Sequence, residues 1–218
     1  MRSLLLLRPE PGLTASADRA RALGLDVLCC PLFRVEPLGW DVPEPTHYDA
    51  LLLTSANAVR HAGPMLARLA SLPVHAVGQT TSAAAKDAGL RVETIGSGNV
   101  SDLLAGLPPS LRLLHLAGED HQPDGDARID RRITYRSIAI ADPGLPPLDG
   151  LVVAVHSPRA GVRLSELAGQ ARTAQIAAIS DAAAAACGNG WAGMAVAAEP
   201  NDKSLLALAA SLCHKSGQ

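Results

Sequence analysis

The sequence repeats itself at an offset of 102 residues. The segment ALLLTSANAV, which starts at Ala50, aligns without gaps to VVAVHSPRAG, which starts at Val152. Three further pairs of segments keep this offset: AVGQTTSAAA at Ala76 with AISDAAAAAC at Ala178, VETI at Val92 with MAVA at Met194, and NVSDLLA at Asn99 with NDKSLLA at Asn201. Alanine-rich segments align easily by chance, but here one register is kept across strands, turns and a helix. We therefore expect two similar structural units.

Short apolar runs alternate with helix-prone segments along the chain. The runs predict strands at Leu4–Leu7, Val27–Phe33, Ala50–Leu53, Val74–Val77, Val92–Ile95, Leu111–Leu116, Val152–Val155, Ala174–Ile179 and Met194–Ala197. Most of the segments between them predict helices, such as those at Thr14–Leu23, Ala56–Leu69, Thr81–Ala88 and Ser204–Leu212. Such alternation is typical of βαβ units around parallel sheets. Aromatic residues make up only 2% of the chain, so a core of Leu, Ala, Val and Ile also favours an α/β fold.

The repeat is circularly arranged. LLLLRPE at Leu4 aligns with LLHLAGE at Leu113, so the first strand and helix belong with the C-terminal part of the chain. We predict one continuous domain, residues 41–132, and one discontinuous domain, residues 1–32 plus 144–218. Two extended linkers, residues 33–40 and 133–143, join them, with a cleft between the domains.

Charge, cysteines and histidines exclude several classes of protein. The formal net charge of -2 gives no basic surface for nucleic acid. The apolar run near the N-terminus is too short for a signal peptide or a membrane span, so we expect a cytoplasmic protein with reduced cysteines. The four cysteines form neither a CxxC motif nor a zinc-ligand pattern, and the seven histidines form no HxH or HxxxH pair, so no metal site is expected.

Several motifs occur in a specific order and spacing, although each alone is weak. They are LRPEPG at Leu7, LTSANAV at Leu53, AVGQTTSAAAKDAG at Ala76, LAGEDH at Leu116, TYRS at Thr134, VHSPRAG at Val155 and AAISDAAAAA at Ala177. In these motifs the chain resembles the uroporphyrinogen-III synthase family over almost its whole length. The resemblance implies two similar flavodoxin-like domains with parallel sheets, joined by a two-stranded linker. It also implies a monomer without a metal or an organic cofactor.

The same resemblance implies a lyase of porphyrin and heme biosynthesis. Its substrate is the linear tetrapyrrole hydroxymethylbilane, which closes to uroporphyrinogen III with loss of water and inversion of the terminal pyrrole ring. Tyr135 matches the tyrosine of the family and is one of only two tyrosines in the chain. As a catalytic residue, its phenol would donate a proton to the departing hydroxyl. The alternative is a tyrosine that only packs in the linker.

The expected substrate carries many carboxylates, and the chain offers no strongly basic surface to bind them. Helix N-termini bind anions through backbone N–H groups, and parallel sheets place such termini at the carboxyl ends of their strands. The substrate-binding candidates at these positions are Thr54, Ser55, Asn57, Gly78, Thr80, Thr81, His156, Ser157 and Ser180. Arg8 and Arg159 are expected to add charge-assisted contacts. For Arg136, a contact with a substrate carboxylate and an ordinary solvated surface position are equally expected.

Two departures from the family pattern affect these expectations. The segment HQPDGDARIDRR, residues 121–132, is short and charged, so we expect the helix of this region to be shortened or lost. The Gly-x-x-Thr turn at Gly78–Thr81 becomes Ser180–Ala183 in the second copy, so no role of that threonine transfers there.

The sequence alone also allows other functions to be considered. A two-domain module that binds a small anionic ligand without catalysis would share the cleft and the helix N-termini. A flavin or nucleotide protein lacks support, because neither a GxGxxG motif nor a P-loop is present. A Ser–His hydrolase lacks the GxSxG nucleophile elbow, and the adjacent His156 and Ser157 point to opposite faces of a strand.

Overall fold

A computed structural model describes residues 2–121 and 125–214 of the chain. The chain divides into two compact units. Unit 1 comprises Met1–Arg34 and Ala139–Gln218, and unit 2 comprises Val35–Ile138. Both points of division lie inside the segments predicted as linkers.

The described residues form strands and helices in alternation. The strands are β1 (Leu4–Leu6), β2 (Val27–Cys29), β3 (Phe33–Pro37), β4 (Ala50–Leu53), β5 (Val74–Ala76), β6 (Val92–Ile95), β7 (Leu113–Gly118), β8 (Ile129–Ala139), β9 (Val152–Val155), β10 (Gln175–Ala178) and β11 (Gly193–Val196). The α-helices are α1 (Gly12–Ala22), α2 (Ala56–His61), α3 (Gln79–Asp87), α4 (Val100–Ala105), α5 (Pro158–Ala168), α6 (Asp181–Cys187) and α7 (Asp202–His214). None of these described helices is long and apolar enough to cross a bilayer.

The sheet of unit 1 is parallel, with strand order β11-β10-β9-β1-β2. The second sheet has the order β3-β8-β7-β4-β5-β6. If β3 is set aside, its strands β8-β7-β4-β5-β6 repeat the order of the first sheet, and both follow the flavodoxin-like pattern. The predicted α/β fold with two flavodoxin-like halves is confirmed.

The second sheet is mixed rather than purely parallel. The N–H of Leu38 donates to the carbonyl of Thr134 at 2.9 Å, and the N–H of Ile140 donates to the carbonyl of Leu32 at 2.9 Å. These two bonds make β3 antiparallel to β8. The two chain segments predicted as linkers therefore pair with each other and extend the sheet at its edge.

Burial explains why the apolar runs become strands. The side chains of β1, β4 and β9 are all buried, as expected for central strands covered by helices on both faces. The edge strands β6 and β11 alternate between half-buried and exposed residues. Serine N-caps begin three of the helices: Ser55 accepts from the N–H of Asn57, Ser157 from that of Ala160, and Ser180 from that of Ala183.

Two predicted elements are divided in the structure. The predicted strand Val27–Phe33 becomes β2 and the start of β3, with Pro31 in the break. The predicted helix Ala56–Leu69 becomes α2 and a 3-10 helix at Pro64–Leu69. Gly63 has a φ of 71° and Pro64 has no N–H to donate, so an α-helix cannot continue through this pair.

The charged segment 121–132 is described in part. Residues 122–124, on which the expected loss of a helix partly falls, lie outside the described residues. The remainder forms turns and the beginning of β8, which starts at Ile129.

Candidate active site

Unit 2 contains a cavity of about 670 Å³ at the carboxyl edge of its sheet. The lining residues include Thr54 after β4, Val77 after β5, Val100 at the start of α4, and His115, Gly118 and Tyr135 on β7 and β8. The carboxyl ends of neighbouring parallel strands are where open α/β sheets bind ligands. Of the predicted site residues, Thr54 and Tyr135 are thus brought together around one cavity.

The ring of Tyr135 lies directly over the backbone of Gly118. A Cβ atom added at Gly118 would lie 2.5 Å from Cζ of Tyr135, so only glycine leaves room for the ring. The centroid of the His61 ring lies 6.1 Å from that of Tyr135. The phenolic hydroxyl makes no hydrogen bond with any residue in the described part of the chain, so its proton is available to a ligand.

The second tyrosine has a different environment. The hydroxyl of Tyr48 donates to the carboxylate of Asp130, which also receives a bond from Arg132. Burial and this hydrogen bond raise the pKa of Tyr48. Tyr48 is therefore a structural tyrosine, whereas Tyr135 faces a cavity.

His115 is buried at the cavity wall and links two side chains. Nε of Arg131 donates to Nδ1 of His115 at 3.3 Å, and Nε2 of His115 lies 3.0 Å from Oγ1 of Thr54. Because arginine has no acceptor, Nδ1 must accept, and the hydrogen of the neutral imidazole is on Nε2. His115 consequently donates to the Thr54 hydroxyl oxygen. Sequence reasoning missed both His115 and Arg131, although His115 lies in the repeat segment LLHLAGE and Arg131 in the charged segment 121–132.

The remaining candidates of unit 2 are not among the cavity-lining residues. Ser55 uses its side chain to cap α2, and Oδ1 of Asn57 is 3.5 Å from Arg60. Gly78 is the N-cap of α3 and has no side chain to use. In the first turn of that helix Thr80 is exposed and Thr81 is buried.

In unit 1 a cluster of polar side chains converges on the carboxylate of Asp202, in the first turn of α7. Oδ1 accepts from Ser16 at 2.6 Å, from Nε2 of His156 at 2.8 Å and from Arg8 at 3.1 Å. Oδ2 accepts from Arg19 at 2.9 Å. We call these five residues the Asp202 cluster.

The Asp202 carboxyl is held in its ionised form. Burial alone would raise its pKa, but the hydrogen bonds from His156, Ser16 and Arg19 outweigh burial and hold the pKa well below the ordinary range. Gly12 leaves room for the guanidinium of Arg8, because a Cβ at Gly12 would lie 2.5 Å from its Nε. Arg8 and His156, predicted as ligands of substrate carboxylates, thus contact a carboxylate of the chain itself. Asp202 was not predicted.

The other candidates of unit 1 have local roles. Ser157 and Ser180 cap α5 and α6. The guanidinium carbon of Arg159 lies 4.6 Å from the centroid of the Phe33 ring, a cation–π contact on an exposed arginine. In unit 2, Arg136 pairs with Glu36 at 3.3 Å on the surface.

Two flavodoxin-like sheets related by an internal repeat, one with a cavity at its carboxyl edge, define a duplicated α/β protein. A family model described as uroporphyrinogen-III synthase HemD matches residues 15–207. The chain therefore belongs to the uroporphyrinogen-III synthase family, and the expectation drawn from the sequence motifs is confirmed.

Solved structures agree with this assignment at the level of the fold. The crystal structure of uroporphyrinogen-III synthetase from Helicobacter pylori 26695 has a TM-score of 0.69 and 18% identity, covering 97% of this chain and 100% of that chain. A mutant uroporphyrinogen III synthase from the extremely thermophilic bacterium Thermus thermophilus has a TM-score of 0.56 and 20% identity, covering 98% and 100%. No curated protein gives a significant match.

The family defines the activity. The chain is a cyclising lyase of porphyrin and heme biosynthesis that acts on a tetrapyrrole and forms uroporphyrinogen III. A binding module without catalysis is not favoured.

Proposed function

We propose that ring closure of hydroxymethylbilane takes place against the cavity of unit 2, with Tyr135 as the proton donor to the departing hydroxyl. The observation that carries this proposal is the position of Tyr135. Its ring is seated on Gly118, its hydroxyl has no partner among the described residues, and it lines the cavity together with Thr54.

The chemistry needs one well-placed proton donor. The pyrrole that carries the hydroxymethyl group expels the hydroxyl with its own electrons. A proton from the phenol of Tyr135 converts that hydroxyl to water. The resulting azafulvene is attacked by a substituted carbon of the last pyrrole, and a spiro intermediate rearranges before the ring closes. Loss of a proton from the closing pyrrole carbon restores its aromaticity and balances the proton taken from Tyr135. The cavity wall holds the chain folded, which is an orientation effect.

We propose that the substrate carboxylates bind mainly through short-range donors. The backbone N–H groups at the starts of α2, α3, α5 and α6 are candidates, together with the side chains of Ser55, Asn57, Thr80, Thr81 and Arg159 and the neighbouring residues Gly78, Ser157 and Ser180. Arg8 and His156 would have to leave Asp202 to take part. A net charge of -2 supports this reading, because long-range attraction of a polyanion is weak.

We also propose that the chain works as a cytoplasmic monomer with two domains, residues 41–132 and residues 1–32 plus 144–218, joined by linkers 33–40 and 133–143. The division into unit 1 and unit 2 supports this arrangement. Membership of a biosynthetic family supports the location.

The test supplies enzymatically generated hydroxymethylbilane and separates the porphyrin isomers after oxidation. The unaltered protein should give the type III isomer, whereas the uncatalysed reaction gives type I. Tyr135→Phe should lower kcat roughly ten- to a hundredfold with little change in KM, because general-acid assistance acts on the transition state.

Tyr48→Phe is the matched control. It removes the same hydroxyl from a site that faces Asp130 instead of the cavity, so it should reduce stability and leave kcat of the folded enzyme unchanged. Formation of type I alone by the unaltered protein would contradict the function. Full activity of Tyr135→Phe would make the tyrosine a packing residue.

A further inference from the structure

We propose that the cavity of unit 2 binds one carboxylate of the tetrapyrrole in the position that the Asp202 carboxylate occupies in unit 1, and that Arg131 and His115 orient the Thr54 hydroxyl to hold it. This inference rests on the proposed function and names a substrate contact within the same site. Thr54 is the binding residue, and His115 and Arg131 are positioning residues.

The hydrogen bonds around His115 run in one direction. Arg131 donates to Nδ1 of His115, so Nε2 of His115 donates to Oγ1 of Thr54. With its oxygen used as the acceptor, the Thr54 hydroxyl has its own hydrogen to donate. No acceptor for that hydrogen occurs among the residues that the structure describes, and Thr54 lines the cavity. The chain of bonds therefore ends in one hydroxyl donor, at the cavity wall, that the described residues leave without an acceptor.

The internal repeat relates the cavity of unit 2 to the Asp202 cluster of unit 1. The 102-residue offset places Thr54 opposite His156 and Val100 opposite Asp202. In unit 1, Nε2 of His156 donates to the carboxylate of Asp202 at 2.8 Å. In unit 2 the donor is retained as Thr54, but the acid is replaced by Val100, and both residues line the open cavity. The carboxylate that the chain supplies to unit 1 is missing from the equivalent place in unit 2. The cavity is lined elsewhere by two aspartates, Asp126, which pairs with Arg128 at 2.7 Å, and Asp120, which also has a partner in the chain.

The positive charge of Arg131 favours an anionic ligand at Thr54. The relay begins at a guanidinium, so each bond polarises the next and strengthens donation from Thr54 to an anion. Carboxylates are the most numerous acceptors of the expected substrate. A carboxylate therefore suits this donor better than a pyrrole face or an apolar group.

The experiment measures KM and kcat for type III formation. Thr54→Val keeps the shape and removes the hydroxyl, and KM should rise roughly ten- to a hundredfold, the scale of one hydrogen bond to a charged group. Thr54→Ser keeps the hydroxyl and should restore KM to within a fewfold of the unaltered protein. In both variants kcat should stay nearly constant, because substrate and transition state carry the same carboxylate.

A double-mutant cycle tests the positioning role. His115→Leu should raise KM by itself, and combining it with Thr54→Val should add little, because both changes break one chain of bonds. Two independent structural effects would instead multiply.

Filling the cavity gives a second measurement that does not depend on Thr54→Val folding. Val100→Asp rebuilds the acid of unit 1, and its carboxylate should compete with the substrate and raise KM well above that of the similarly sized Val100→Asn. Equal KM values for these two variants would overturn the proposal.

The outcomes separate this inference from the proposed function. Absence of the type III isomer with the unaltered protein defeats the proposed function. A normal type III yield with an unchanged KM in folded Thr54→Val, or a loss confined to kcat, defeats the carboxylate assignment alone.

Discussion

Replacing Asp202 with asparagine is expected to destabilise unit 1 far more than the loss of an ordinary acidic residue from the first turn of a helix. The variant keeps the shape of the side chain and removes the charge on which Arg8, Arg19 and His156 converge. The amide oxygen at the Oδ1 position leaves Ser16, His156 and Arg8 only an uncharged acceptor, and the amide nitrogen at the Oδ2 position cannot accept from Arg19.

The magnitude follows from burial. The side chains of His156 and Asp202 are 9% and 18% exposed, so their contact is worth about 1.5–3 kcal/mol. Arg8 and Arg19 are 30% and 52% exposed, so each adds about 0–1 kcal/mol. Since such contacts are not additive, we expect a loss of about 2–3 kcal/mol in the free energy of unfolding. For a chain of this length that corresponds to roughly 4–12 °C in Tm.

Asp102→Asn is the matched control. Asp102 is an exposed acid in the first turn of α4, the helix that the repeat aligns with α7. Its removal alters only the interaction with the helix dipole, about 0.3–1 kcal/mol. Thermal unfolding followed by circular dichroism at pH 7 compares the two variants. Equal Tm shifts would refute the reasoning about the Asp202 cluster.

The pH dependence provides a further check on Asp202. Its pKa is lowered in the folded state, so its stabilisation is complete above the unfolded value near 4 and is lost as the pH falls from there towards the folded pKa. The difference in Tm between the unaltered protein and Asp202→Asn should therefore be smaller at pH 3 than at pH 7. A constant difference would contradict this assignment.

Three further outcomes are expected. Gly118→Ala should displace the ring of Tyr135 and reduce kcat as Tyr135→Phe does, whereas Gly106→Ala, whose new Cβ meets nothing closer than 3.5 Å, should not. Burial lowers the pKa of His75, so the folded state resists protonation of this side chain. The free energy of unfolding should therefore fall by up to roughly 1.4 kcal/mol per pH unit below about pH 6.5. His75→Gln should flatten this slope in unfolding curves. Cys29 is the exposed thiol, and burial raises the pKa of the other three thiols. Alkylation of the folded protein, measured by mass spectrometry, should therefore add one label, and Cys29→Ser should abolish it.

Most of the elements and their order could be predicted from the sequence alone, whereas β3 and β8 were predicted largely as extended linkers. Strand β4 aligns with β9 at the 102-residue offset, and α2, α3 and α4 align with α5, α6 and α7. These features are encoded locally, because apolar runs must be buried and because serine, glycine and proline begin or end a helix at the turn in which they lie. Thr54 was found for the same reason, since it belongs to a strand-end segment, whereas Tyr135 was found because the segment TYRS resembles the family.

The pairing of the polar side chains, in contrast, is set by the tertiary structure. Arg8 and Asp202 are 194 residues apart in the chain, and Thr54 and His115 are 61 apart. Local sequence patterns do not predict such contacts, because the contacts depend on the order of the strands in the sheet, which decides which strand ends are neighbours. That order places a carboxylate opposite His156 in unit 1 and leaves Thr54 facing a cavity in unit 2. Two copies that the sequence presents as equivalent therefore differ in what the aligned strand-end residue faces: a carboxylate of the chain for His156 and a cavity for Thr54.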